Sequence, residues 1–493
     1  MTTHEEASYM AGAILFYIAW FILGAVTIKH RMLSFAVATV GYILALIEVL
    51  ARQLTGEHIS YFILSRIDIT MLEMATVVVP HYVYGGIAIT ALILYGQYRL
   101  IKKMHKTPIK KRVRIALPII TILILALSTT TKAYVETCRS ASKIWEYQDM
   151  ALAEVKEKLS LGGYMDKRDI KACAGKNIVV IYLESFENNF LDETNFPLEM
   201  TNIHRLQQQG WHTYDNYDCV YGAEWTIGSL YATQTGLPTM FSGKQNRAIF
   251  NVQAATDAIS YTSVLKQAGY QCIFLSNSYL EFGGTGSMMC ALGYETIGGE
   301  TFPEGAPKTR WGVHDVHGFA KAKEEYIRLS KSGQPFQLTL LTVDTHFPNG
   351  FPDETMRPHV DTRIPSGSHE YVVATLDYLV GDFVRFIESQ PNGKDTVIVL
   401  MSDHLMMQKK NERSIIDKLD DTPRHNLLMT NHPIPNHTPA DNIAFWHIPS
   451  IMLDLAEVKH NVTFPVDMNG NMSEQYIKDN ESLFTIFNIK LLK

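Results

Sequence analysis

Residues 176–189 read KNIVVIYLESFENN, and the fold class follows from this stretch. The unbroken apolar and aromatic run 178–182 predicts a strand buried on both faces, the pattern of a parallel sheet enclosed by helices. The carboxylate of Glu184 falls just past the C-terminal end of that strand, where open α/β sheets hold their ligands. A carboxylate facing such a crevice suits a divalent cation. Alone, Glu184 reads more readily as a solvated loop residue, so support for a metal site must come from elsewhere in the chain.

Downstream, apolar runs alternate with helical patterns. Runs 178–182, 272–275, 336–343 and 396–401 predict strands, and 200–209, 260–268, 318–330 and 371–389 predict helices between them. Such alternation makes an α/β domain with a mainly parallel sheet between helices, read as one unit over residues 175–493. Two more strands run into polar groups. TVIVLM (396–401) leads into Ser402, Asp403 and His404, and an adjacent carboxylate and imidazole at a strand end are an O,N pair suited to zinc or manganese. Residues 336–343 lead into Asp344, Thr345 and His346. Each pair read singly is a turn with a satisfied histidine, but three strand ends bringing such groups to one edge weigh toward a metal site. The segment YGAEWTIGSLYATQTGLP (221–238) adds Thr226 where a loop passes into a helix. A hydroxyl there sits among backbone N–H groups that stabilise an anionic phosphate, and a cation lowers its pKa. The plainer reading of Thr226 is an N-cap.

Upstream the chain changes character. Residues 11–28 carry no charge over a length able to span a hydrocarbon core of about 30 Å. Residues 33–50 are interrupted only by Glu48, and 75–97 and 115–131 complete four predicted transmembrane helices. Buried core helices would read similarly, but the connections favour a membrane. Lys29, His30 and Arg31 fill the first, while Arg99, Lys102, Lys103, Lys106, Lys110, Lys111, Arg112 and Arg114 crowd the third without an acidic residue. The positive-inside rule puts both in the cytoplasm, and hence the N-terminus and everything after residue 131 outside. No basic stretch precedes 11–28, which reads as a span and not as a cleaved leader. Residues 1–131 are therefore expected as a membrane domain. Residues 132–174 are expected as an amphipathic linker, helical through Ile144, Tyr147, Met150, Leu152, Val155 and Leu159 and ended by Gly162 and Gly163.

The 493 residues carry a net charge of −6 with no basic excess, which argues against nucleic acid as a partner. The five cysteines, Cys138, Cys173, Cys219, Cys272 and Cys290, all fall in the part placed outside. Cys272 and Cys290 are the candidate disulfide, and structural use is favoured over chemical use.

In order along the chain, YLESFENNF, EWTIGSLYATQTGLP, VDTHFP and SDHLMM resemble the motifs of the phosphoglycerol transferase I and lipoteichoic acid synthase-like family of the sulfatase–alkaline phosphatase superfamily. Residues 265–299 and the stretch RWGVHDVHGF (310–319) resemble family segments too, and the likeness covers roughly 176–455. The resemblance implies Glu184, Thr226, Asp403 and His404 as the metal-binding set, with Thr226 also the nucleophile. It implies His346 as the residue that contacts the phosphoglycerol group and moves protons, and Trp311 as a substrate-pocket aromatic. One divalent ion is implied; two carboxylates, an imidazole and a hydroxyl suit manganese and leave magnesium or zinc open. Phosphatidylglycerol as donor, an envelope glycan as acceptor and the lipid bilayer as platform complete the expectation. The implied location is the bacterial inner membrane, with the catalytic domain on its periplasmic or extracellular side.

His404 is followed by Leu405 where many sulfatases carry glycine, and no C/S-x-P-x-R motif for formylglycine surrounds Thr226. A generic sulfatase is therefore disfavoured. The alternatives are a phosphoethanolamine transferase acting on lipid A, an envelope phosphodiesterase or sulfatase-like hydrolase, and a non-catalytic, membrane-anchored binding protein.

Overall fold

The computed structural model describes residues 3–492 except 56–57, 67–75, 77–79, 108–109, 242–254, 299–301, 303–305, 348, 408–414 and 420–422, in two compact units, 1–148 and 149–493. In the first unit α1 (Thr3–Thr27) packs along α2 (Arg31–Thr55), and α3 (Pro80–Met104), α4 (Lys111–Leu127) and α5 (Thr129–Tyr147) follow. Polar side chains tie the helices to one another. Ser34 Oγ donates to Gly24 O at 3.1 Å and Trp20 Nε1 to Val37 O at 2.7 Å. The buried Gln97 amide of α3 accepts from Tyr17 at 2.8 Å and donates to Thr39 Oγ1 at 2.9 Å, so one side chain joins three helices.

Among the described residues two helices, Tyr9–Thr27 and Arg31–Gln53, are long and apolar enough to cross a membrane, or three if one bent pair counts as a single span. This corrects the expectation of four. The run 115–131 is broken at Ser128, which caps a new helix by accepting from the Thr131 N–H, and Arg112–Leu127 meets Thr129–Tyr147 at 64°. The run 75–97 starts with residues mostly outside the described set, and α3 opens with His81, Tyr82, Tyr84, Gly85 and Gly86, which dilute its apolarity. The expected linker helix is also two pieces, α5 and Leu152–Lys158, and the second stops short of Gly162.

The second unit is built on a seven-stranded sheet. Its strands in chain order are β1 (Asn177–Leu183), β2 (His212–Thr213), β3 (Gln271–Ser276), β4 (Glu295–Ile297), β5 (Phe336–Leu341), β6 (Thr396–Ser402) and β7 (Leu428–Thr430). They are arranged β2-β7-β6-β1-β5-β3-β4. From β6 to β4 the strands are parallel, whereas β7 runs antiparallel to β6 and β2 antiparallel to β7. The sheet is therefore mixed: the parallel part is the expected one, and the antiparallel edge is an addition.

Helices α6 (Thr201–Gln208), α7 (Thr226–Thr235), α8 (Tyr261–Gln267), α9 (Asp315–Ser332) and α10 (His369–Glu388) complete the site's scaffold. Val179, Ile181 and Leu183 share one core with Ile203 of α6, Phe319 and Tyr326 of α9, and Val380 and Phe383 of α10. The alternate residues of the sheet meet α7 and α8 through hydrogen bonds. Tyr182 OH and Thr233 Oγ1 lie 2.7 Å apart, Thr262 Oγ1 lies 2.8 Å from Gln234 Oε1 and 3.0 Å from Gln337 Oε1, and Tyr294 OH lies 3.1 Å from Thr339 Oγ1. All of these residues are buried, and leaving any one unpaired would cost about 1–3 kcal/mol. This polar layer seats α7, the helix that begins with Thr226.

All five cysteines are free. The expected bond between Cys272 and Cys290 is absent because one thiol is buried in the sheet and the other is exposed, 3.5 Å from Thr296 Oγ1.

Candidate active site

Parallel register explains why residues from distant strands converge. Leu183 of β1 pairs with Ser402 of β6, so Glu184 and Asp403, the next residue of each, emerge side by side. Tyr182 pairs with Leu341 of β5, which brings Thr342 and Thr345 alongside. The Glu184 N–H donates to Thr342 Oγ1 at 2.9 Å, and the Thr345 hydroxyl donates to the Glu184 carbonyl. Thr226 is the first residue of α7 and not its N-cap; that position is Trp225, which makes no side-chain cap bond. The Thr226 hydroxyl lies 3.3 Å from both Glu184 Oε2 and His404 Nε2. His404 Nε2 is 3.4 Å from Asp403 Oδ2 and 3.7 Å from Glu184 Oε1. Glu184, Asp403 and His404 are buried, with their donor atoms within 4.8 Å of one another.

Each donor is aimed by its own bonds. Asp403 Oδ1 accepts from the N–H groups of Ser185 (2.8 Å) and His404 (2.7 Å), while Oδ2 is buried with no hydrogen-bond partner among the described residues. His404 Nδ1 lies 2.8 Å from the Leu405 carbonyl, which makes Nδ1 the donor and turns the Nε2 lone pair to the cluster. Ser185 Oγ donates to Glu184 Oε1 at 2.7 Å. Its backbone sits at φ +49°, a strained conformation for a residue with a side chain, and Ser185 N–H meets Asp403 there. Nothing in the sequence singles out Ser185 beyond its adjacency to Glu184.

The charges record the same crowding. Burial, and then the Glu184 charge, push the Asp403 carboxyl up to about 7. Burial pulls the His404 ring down, but Asp403 and Glu184 outweigh it and leave the ring above its ordinary value. An orphaned carboxylate oxygen, a second carboxylate and an imidazole lone pair form a donor set that fits a divalent cation.

His346 feels the charges of His404 and Asp403. Its Nδ1 lies 2.9 Å from the Phe347 carbonyl, and burial lowers the ring to about 4, so it is neutral with a lone pair on Nε2. The ring packs on Trp311 with centroids 4.3 Å apart and planes 32° from parallel, and Phe282 braces the buried Trp311 edge-on at 5.1 Å. A further pair escapes sequence reading. Glu187, fully buried, holds Arg424 through both carboxylate oxygens; Met406 N donates to Glu187 Oε1 at 3.1 Å and Arg424 Nη2 to Met406 O at 2.6 Å. This ties the segment after His404 to the loop after Glu184. Glu187 stands in ESFE beside Glu184, but its partner is 237 positions away, beyond any local pattern.

The Sulfatase family model matches residues 176–441, which contain all four motifs read above. The chain belongs to the sulfatase family. Phosphoglycerol transferase I of Xanthomonas campestris pv. campestris is 32% identical over 261 residues, covering 52% of this sulfatase-family chain and 36% of that protein. Phosphoglycerol transferase I of Salmonella choleraesuis is 31% identical over 241 residues, 47% of this chain and 31% of its own. The chain thus spans about a third of the length of the curated relatives it matches. Among solved structures, the integral membrane lipooligosaccharide phosphoethanolamine transferase A from Neisseria meningitidis aligns with a TM-score of 0.53 at 13% identity, over 87% of this chain and 88% of that one. The lipoteichoic acid synthase LtaP from Listeria monocytogenes aligns with a TM-score of 0.50 at 15% identity, over 68% and 81%. These two likenesses show a shared fold.

Proposed function

We propose that the chain is a membrane-anchored transferase that moves glycerophosphate from phosphatidylglycerol to an envelope glycan through a phosphoglycerol-threonine intermediate on Thr226. The observation that supports it most is the single hydroxyl at the start of α7, 3.3 Å from both a carboxylate and an imidazole of a buried donor cluster. The likeness to phosphoglycerol transferase I proteins supports the choice of donor. In this reading residues 1–131 form the membrane domain, 132–174 the linker and 175–493 the catalytic domain. The catalytic domain faces the extracytoplasmic side of the bacterial inner membrane, next to its lipid substrate.

Glu184, Thr226, Asp403 and His404 would hold one divalent cation, manganese by the hardness of the donors, with magnesium or zinc as substitutes. Such a cation supplies positive charge that offsets the negative charge of the phosphoryl oxygens. The rest is done by the chain. Thr226 Oγ attacks phosphorus, and the new O–P bond forms as the bond to the diacylglycerol oxygen breaks. The first N–H groups of α7 donate to the phosphoryl oxygens. His346 Nε2 takes the threonine proton and passes it to the departing diacylglycerol oxygen. In the second displacement it takes the proton of the acceptor hydroxyl and returns it to Thr226 as glycerophosphate moves to the acceptor.

The test feeds phosphatidylglycerol, labelled in its headgroup glycerol and phosphate, to membranes carrying the protein. Label in an envelope glycan with release of diacylglycerol is expected. Label that stays in the lipid, or transfer from phosphatidylethanolamine in its place, overturns the reading.

A further inference from the structure

The loops that carry Trp311 and His346 are tied to each other by two carboxylates that the proposed chemistry does not use. Asp315 accepts from backbone N–H groups of the other loop, Val343 at 2.8 Å on Oδ1 and Asp344 at 3.1 Å on Oδ2. Asp344 works in the opposite direction. Its Oδ2 accepts from the Asp315 N–H at 2.9 Å, and its Oδ1 lies 2.9 Å from His314 Nδ1. Asn277, just past β3, closes the figure: its Nδ2 donates to Asp315 Oδ1 at 2.7 Å and its carbonyl accepts from the Val313 N–H at 2.9 Å. Asp315, Asp344 and Asn277 are all buried.

Two carboxylates buried together are costly. Burial pushes both carboxyls up, and the Asp344 charge pushes Asp315 further. Apolar packing would join two loops without that cost, so the arrangement calls for a directional reason. The fit is also close: a Cβ on Gly312 would lie 1.9 Å from the Asn277 carbonyl oxygen, and one on Gly318 1.7 Å from Asn277 Oδ1. Backbone positions on both loops are thus set by bonds of fixed direction, and the two rings those loops carry meet at 4.3 Å.

We propose that Asp315 and Asp344 are positioning residues whose crossed carboxylate-to-backbone bonds hold the Trp311 ring against the His346 ring and thereby aim His346 Nε2. The consequence for turnover rests on the glycerophosphate-transfer reading; the geometric claim does not. Hydrogen-bond inventory makes the idea testable with isosteric changes. Both Asp315 oxygens face N–H donors, so an amide there must turn its NH2 group onto another donor. Asp344 has one oxygen facing a backbone N–H and the other facing a histidine ring that can accept as well as donate, so an amide fits. Asp315→Asn should disturb the ring pair, Asp344→Asn should spare it, and Asp344→Leu should disturb it.

The readout is fluorine NMR of the full chain labelled with 5-fluorotryptophan, in detergent. The chain has six tryptophans; Trp311→Phe identifies the Trp311 line, and His346→Ala shows how far the neighbouring imidazole displaces it. In Asp315→Asn and Asp344→Leu the Trp311 line is expected to move toward its His346→Ala position while the others stay, and in Asp344→Asn it is expected to stay. Asp315→Asn is also expected to lower kcat for transfer roughly 10- to 100-fold, the scale of a misplaced catalytic group, with little change in KM. An unmoved Trp311 line in Asp315→Asn, equal movement in the two asparagine variants, or movement of all six lines together overturns the proposal. A wild-type chain that transfers no glycerophosphate overturns the function proposed above and leaves the fluorine lines to decide this one.

Discussion

Glu48 in the first unit and Asp403 in the second are both fully buried carboxylates, and the chain treats them in opposite ways. Glu48 is closed on each side: Oε1 lies 2.5 Å from His58 Nδ1, and Oε2 accepts from the Ile59 N–H at 3.0 Å. Asp403 gives one oxygen to two backbone N–H groups and keeps the other without a hydrogen-bond partner among the described residues, facing His404 and next to Glu184. Buried polar groups are nearly always satisfied within the fold, so an oxygen left open beside a like charge is free to act as a ligand donor. One satisfied on all sides is a tie between chain segments. Burial alone does not distinguish a ligand from a brace; the number of satisfied oxygens does.

The comparison breaks most completely if the open cluster is chemically idle. Thr226→Ala is expected to lower both diacylglycerol release and transfer by more than about 10³-fold, because among the described residues Thr226 is the α7 hydroxyl that lies 3.3 Å from both Glu184 and His404. Mass spectrometry of wild-type peptides covering 221–238 is expected to show a glycerophosphate adduct on Thr226. An adduct on another residue would refute the nucleophile assignment, and release at the wild-type rate by the alanine variant would refute the mechanism.

A smaller loss is expected at His346, whose proposed work is proton transfer. His346→Ala should retain its metal and slow turnover by about 10²- to 10⁴-fold, the usual range for a general acid–base group. The pH dependence has a definite sign. Burial lowers the ring from 6.5 to about 4, so the Nε2 lone pair is present above that value and is lost to protonation as pH falls through it. The acid limb of the rate profile that belongs to His346 therefore lies near pH 4, and the alanine variant should lack it. A limb that persists in the variant belongs to another group.

How much of this was readable in advance depended on sequence distance. The runs 178–182, 272–275, 336–343 and 396–401 showed the parallel core because an unbroken apolar string of strand length has few other places to go. β2, β4 and β7 hold two or three residues each, too few for any periodicity. The four-span reading failed at Ser128 because apolarity reports length and not direction, and a cap turns the chain by 64° within an apolar stretch. Glu184, Asp403 and His404 were legible as a group because Glu184 and the Asp403–His404 pair follow two adjacent parallel strands, and register carries them to one edge. The Glu187–Arg424 tie and the Asp315–Asp344 crossing were not, since each joins loops with no shared pattern. Cys272 and Cys290 were a candidate pair because both fall in the part placed outside, whereas a disulfide needs two thiols that meet.

The smallest effects expected bear most directly on the two carboxylates. In Glu48→Gln the remaining carbonyl oxygen must serve the Ile59 N–H, which leaves an NH2 group for the His58 ring; exchanging a charge-assisted bond for a neutral one should cost about 1–3 kcal/mol. Asp403→Asn differs because its Oδ1 keeps both N–H donors, and the new NH2 replaces the orphaned Oδ2 opposite the His404 Nε2 lone pair. It also removes a buried charge beside Glu184. Thermal unfolding of the intact chain with chelator should therefore show Glu48→Gln below wild type and Asp403→Asn level with it or above. With manganese at about 100 times its dissociation constant, wild type should gain about 2.7 kcal/mol while Asp403→Asn gains little, since binding only to the folded state stabilises it by mass action. If Asp403→Asn instead loses as much stability as Glu48→Gln when metal is absent, and gains as much as wild type when it is present, Asp403 is a brace of the same kind as Glu48.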